Sequence, residues 1–222
     1  MASIIRRNWK VAARHGTMAA RGWRPPLALA GTMGIAAMMT DTPPEHVYEQ
    51  LVTRRYRDFA AYNEWANRRL YAAAAQLSEA QYRADRGAFF GSVHATLNHI
   101  LVGDRLWLRR LTGSGLEPAG LDAILFETLP ELAPARAAED ARIAAYVARL
   151  DAATLASDVT YANVAGTRFT QQLATILDHV FNHQTHHRGQ VHCLVSALLG
   201  NAAAPSLDLI AFQRERGLSR QG

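Results

Sequence analysis

Residues 171–200 read QQLATILDHVFNHQTHHRGQVHCLVSALLG and hold five of the chain's nine histidines. The stretch predicts one long helix over 171–199 that stops at Gly200. At 100° per residue, His179, His183 and His187 fall at about 0°, 40° and 80°, on a single face. His183 and His187 stand at i and i+4, so both imidazoles can reach one divalent ion. His186 lies about 60° from His183 on the other side and could line the edge of such a site. His192 lies about 180° away and cannot join it. Two ligands on one helix make a weak site, so a third has to come from elsewhere in the fold.

Upstream, Val159-Thr160-Tyr161 and Arg168-Phe169-Thr170 flank Asn163–Gly166, which reads as a small hairpin. An Ala-rich helix is expected over 135–150, with Ile143, Tyr146, Val147 and Leu150 on its inner face. Another helix is expected over 92–112, where Gly113 is a natural stop. It carries His94 and His99, about 140° apart, so at most one of them faces the last long helix squarely. Leu97, Ile100 and Leu101 flank His99 and favour it over His94 as the third donor. The first helix starts near Thr42-Pro43-Pro44-Glu45, runs to about residue 77, and is followed by a short turn capped by Ser78. A short helix over 207–216 closes the chain. The expected fold is all-α: a four-helix up-down-up-down bundle with a small hairpin inserted before the last long helix.

Composition narrows the function. Hydrophobic residues make up 49% and charged residues 19% of the chain, as in a folded domain. The net charge of +5 comes from residues 1–40, which hold six basic residues and no acid. The remaining residues, 41–222, hold 18 basic and 19 acidic side chains, a net of −1, so nucleic acid is not an expected partner. No apolar run reaches the roughly 18 residues of a membrane span. One cysteine, Cys193, excludes an internal disulfide and is expected as a small buried hydrophobe. Residues 1–40 are read as a leader outside the fold, either a disordered tail or an over-called start upstream of Met38 or Met39. Their basic stretch followed by an apolar one also has the order of a targeting segment or surface anchor. There is no H-E-x-x-H, E-x-x-H, G-x-S-x-G, P-loop or G-x-G-x-x-G motif, so a zincin, a carboxylate di-iron bundle, a hydrolase elbow and a nucleotide fold are all unsupported.

Four stretches resemble the DinB family of helical bundles (DinB/YfiT-like, not the translesion polymerase). They are Tyr62-Asn63-Glu64-Trp65-Ala66-Asn67, Thr96-Leu97-Asn98-His99-Ile100-Leu101 with Asp104, Leu106 and Trp107, His183-Gln184-Thr185-His186-His187-Arg188-Gly189-Gln190, and Pro205-Ser206-Leu207-Asp208-Leu209. The resemblance covers about 43–216. It implies a four-helix bundle, often a homodimer, with a divalent metal, zinc or nickel, held by His99, His183 and His187. His186 falls at a position that varies in the family and is not carried over. The resemblance further implies a cytoplasmic metalloenzyme that activates a low-molecular-weight thiol or a water, as thiol S-transferases do. The alternatives are a non-catalytic metal-binding protein of a stress response, and histidines that only pack. No catalytic residue beyond the ligands is evident. Arg105 and Arg188 are candidates to attract an anionic substrate, or else charges on a helix face or a dimer interface. Asp104 is either an ion-pair partner near Arg105 and Arg109 or an acceptor for a ligand imidazole. Trp65 and Trp107 are expected in the core or at a dimer interface.

Overall fold

The computed structural model describes residues 45–220, so the leader 1–40 and the start signal at Thr42 lie outside the described residues. The helices are α1 (Glu45–Ala74), α2 (Glu79–Arg83), α3 (Val93–Thr112), α4 (Leu129–Ala148), α5 (Ala152–Ala156), α6 (Leu173–Leu199) and α7 (Leu209–Glu215). A hairpin of β1 (Asp158–Ala162) and β2 (Arg168–Gln172) precedes α6. It is antiparallel, with Thr160 opposite Thr170 and Tyr161 opposite Phe169. Asn163 shapes its turn: the side-chain oxygen accepts from the N–H groups of Ala165 and Thr167. Gly166 supplies the positive φ of 82° that the turn needs.

Helix ends follow local chemistry. Ser78 and Thr128 each close a capping box, with Gln81 and Glu131 respectively. Gly113 ends α3 in the left-handed conformation. α4 begins at Leu129, six residues before the expected start at Ala135. Pro130 falls in its first turn, where no N–H partner is lost, and the box at Thr128 fixes the start despite Pro134 inside the helix.

The four long helices α1, α3, α4 and α6 form the all-α bundle. Their directions differ from simple alternation. Leu97 and Leu101 share one core cluster with Leu132 near the start of α4, and Leu108 shares the other with Ile143 and Val147 further along it, so α3 and α4 run parallel. The reason is the connection 113–128, which returns along the bundle before α4 starts. Buried Asn98 pins it there: its Oδ1 accepts from the N–H of Leu125 and Phe126, and its Nδ2 donates to the Phe126 carbonyl.

The interior is layered. One apolar core joins Leu70 and Tyr71 to Leu97, Leu101, Leu132, Val191 and Val195. A second joins Tyr56 and Leu108 to Ile143, Val147, Leu177 and Phe181. Between the two sits a buried polar layer of Asn63, Asn67, Asp104, Arg136, Asp140, Gln184 and Arg188. Arg136 pairs with Asp104 and, at 2.9 Å, with Asp140. Asp104 also accepts from Gln184 Nε2 at 2.7 Å. Asp140 accepts from the amides of Asn63 (2.8 Å) and Asn67 (2.9 Å), and Asn63 in turn accepts from Arg188. Burial pushes the Asp140 carboxyl up to about 6, against the pull of Arg136.

Candidate metal centre

α3 and α6 cross the bundle side by side and antiparallel. His99 meets His187 with ring centroids 4.5 Å apart, and Gly103 lies against His183 one turn further along α3. One nitrogen each from His99, His183 and His187 can be chosen so that all three lie within 4.8 Å of one another. His99 Nε2 and His183 Nε2 are 3.1 Å apart.

The groups around these rings decide which nitrogen is free. His99 Nδ1 is 2.6 Å from the Leu121 carbonyl, an acceptor only, so Nδ1 carries the proton and Nε2 keeps its lone pair. His187 Nδ1 is 2.8 Å from Gln190 Oε1, with the same effect. Two of the three rings are thus held in the tautomer that leaves Nε2 unprotonated, the usual arrangement behind a ligating imidazole. Phe90 stacks on His99 with centroids 3.8 Å apart and fixes its ring plane. The donor set, its tautomers and its spacing fit a divalent ion with imidazole ligands.

His183 has its room because residue 103 is glycine. A Cβ there would sit 2.8 Å from His183 Cε1. We expect Gly103→Ala to displace the imidazole and weaken zinc binding by roughly 10–100-fold, the range found for lost ligand positioning. Calorimetric titration with zinc measures this, with far-ultraviolet circular dichroism checking that the helices persist. Unchanged affinity would show that His183 is not held where zinc needs it.

Burial and the neighbouring imidazoles of His187, His99, His179 and His186 pull His183 down to about 3. Burial also lowers His99 and His187. These rings are therefore neutral in the metal-free fold at pH values where an unfolded histidine, with a pKa near 6.5, takes a proton. Below that pH the unfolded chain binds more protons than the folded one, so stability rises with pH through this window and is lost on acidification. Metal-free protein should lose stability as the pH falls from about 6.5 toward 4, and His183→Leu should make the fall shallower. Urea titrations across that range test this, and parallel curves for the two proteins would refute it.

The remaining expected residues fall as follows. His186 is exposed and lies 3.3 Å from Gln190 Nε2, behind His187. His179 packs its ring on Trp107 and on His183. His94 bonds the Phe126 carbonyl and His192 the Pro205 carbonyl, so neither joins the cluster. Asp104 pairs with neither Arg105 nor Arg109 and touches no ligand imidazole; it is bound by Arg136 and Gln184 in the polar layer. Arg188 is not a surface charge either: it is buried, with Asn63 and Thr185 as partners. Arg105 is engaged by Glu139 and packs over Phe126. Trp65 is core, packed on Tyr62 and Phe212, whereas Trp107 is half-exposed beside the hairpin. Cys193 is exposed, because Val191 and Val195 take the buried stripe about 200° away. Gln190, Gly103 and Phe90 went unrecognised. Gln190 at i+3 from His187 and Gly103 at i+4 from His99 were legible as spacings, whereas the Leu121 carbonyl leaves no trace in residue types.

Two comparisons with known proteins bear on the family. A protein DinB from Bacillus subtilis (strain 168) is 26% identical over 152 residues, covering 65% of this chain and 86% of that protein. The sequence profile of the DinB family matches residues 48–216, which span the four long helices, the hairpin, the three histidines and α7. With three quarters of its length matched in this way, the chain belongs to the DinB family.

Proposed function

We propose that His99, His183 and His187 hold a divalent ion, zinc or nickel, in a cytoplasmic homodimeric enzyme that activates a low-molecular-weight thiol or a water. The observation that carries this reading is the convergence of three imidazoles, two of them locked with Nε2 free. When bound, the ion supplies Lewis acidity, favouring the deprotonated form of a thiol or water beside it. Three protein donors leave coordination positions for such a group, as catalytic sites do. The chain's own residues do the rest. The Leu121 carbonyl and Gln190 orient two ligands, Phe90 shields one ring face from water, and partly exposed His183 leaves the cluster reachable from solvent. Among the described residues no helix is long and apolar enough to cross a membrane.

Elemental mass spectrometry tests the site. The full-length chain is expected to carry about one divalent ion per protomer, in line with a three-histidine site, and His183→Ala to carry none. Chelation should then abolish thiol transfer to an electrophile. A chain that is purified empty and rejects both added zinc and added nickel would overturn the proposal.

A further inference from the structure

The seam between α3 and α6 continues beyond the three histidines. Along α3, His99, Gly103, Trp107 and Arg110 share one face, spread over about 80°. Each faces the partner helix in turn: His99 meets His187, Gly103 meets His183, and Trp107 meets His179 at 5.3 Å. Arg110 comes next. Its guanidinium lies 4.7 Å from the Trp107 ring and 5.3 Å from the Tyr161 ring. Tyr161 is held by its hydroxyl to Gln171 and stacks on Phe169, which is itself exposed.

Arg110 is half-buried and, among the described residues, has no carboxylate within ion-pair distance. Glu117, whose field reaches it, is bound by Arg109 at 3.2 Å. A guanidinium taken partly out of water and left without a counter-ion is stabilised by an incoming anion. Its planar fork suits a carboxylate. Trp107 stands edge to face with Tyr161 on one side and His179 on the other, so its ring carries apolar surface from the cation toward the histidines. Arg105 and Arg188 are both engaged elsewhere and leave this role open.

We propose that Arg110 is the charge-recognising end of the substrate site: it receives the carboxylate of a flat, apolar organic molecule lying on Trp107, whose other end reaches His183 about 10 Å away, seven residues back along α3 at 1.5 Å each. The proposal rests on the metal-site reading only for what happens at the far end.

Calorimetric titration of the full-length chain with biphenyl-4-carboxylate and with biphenyl-4-carboxamide tests it, with and without bound zinc. The carboxylate is expected to bind at least about tenfold tighter than the amide, as a charge-assisted pair gives. Arg110→Gln should remove that preference while leaving zinc content unchanged, and Trp107→Leu should weaken both probes alike. Equal binding of the two probes would overturn the proposal, as would a preference that survives Arg110→Gln. A preference seen only with zinc bound would also overturn it, since the carboxylate would then sit on the ion. A chain that takes up no zinc but keeps the Arg110-dependent preference would refute the metal reading and support this one.

Discussion

Replacing Arg136 with methionine is expected to cost about 3–5 kcal/mol of folding stability, the largest loss from any single substitution considered. Arg136 is 2% exposed, and its two carboxylate partners, Asp104 and Asp140, are 1% and 3% exposed. Methionine fills similar volume, so the loss comes from two buried carboxylates deprived of their shared cation rather than from a cavity. Asp140 would retain only the amides of Asn63 and Asn67, and Asp104 only Gln184. Urea denaturation at neutral pH measures the loss. Adding Asp104→Asn and Asp140→Asn to Arg136→Met should recover a large part of it, because the uncompensated charges disappear. A single substitution costing under about 1 kcal/mol would mean that water reaches the layer and screens it.

Zinc at about a thousand times its dissociation constant is expected to raise stability by about 4 kcal/mol, since it binds the folded chain and not the unfolded one. For a domain of this size that corresponds to a rise in Tm of roughly 10 °C. His99→Ala should abolish the increment, as should His187→Ala, because each removes one of the three donors. Differential scanning calorimetry with zinc, and with magnesium as a hard-cation control, measures it. Equal stabilisation by magnesium would point to a carboxylate site elsewhere, since imidazole donors do not favour that ion.

The helices and the candidate ligands were legible because both depend on period. The i, i+4 spacing of His183 and His187 and the apolar flank of His99 are local facts that a helix turns into geometry. The start of α4 is not legible from apolar periodicity, because it is fixed by the Thr128–Glu131 box, a local cue that lies among prolines at 130 and 134. The parallel course of α3 and α4 depends on the connection 113–128 folding back onto Asn98, a tertiary contact with no periodic signature. Arg188 and Asp104 read from sequence as surface or site charges, because charged side chains seldom lie in a core. Their burial makes sense only once Asn63 of α1 reaches Arg188, and Arg136 of α4 and Gln184 of α6 reach Asp104.

The polar layer divides labour within the protein. Gln184 is bound to Asp104, next in sequence to His183 and Gly103 respectively, so the level at which α3 and α6 meet is set by a contact outside the histidine cluster. Sliding either helix by one turn, about 5.4 Å, would break that contact before any ion could bind. Positions 99, 183 and 187 are thereby relieved of setting the register of the two helices. A lineage could exchange their donors one at a time, imidazole for carboxylate, and change the ion it uses without redesigning the scaffold.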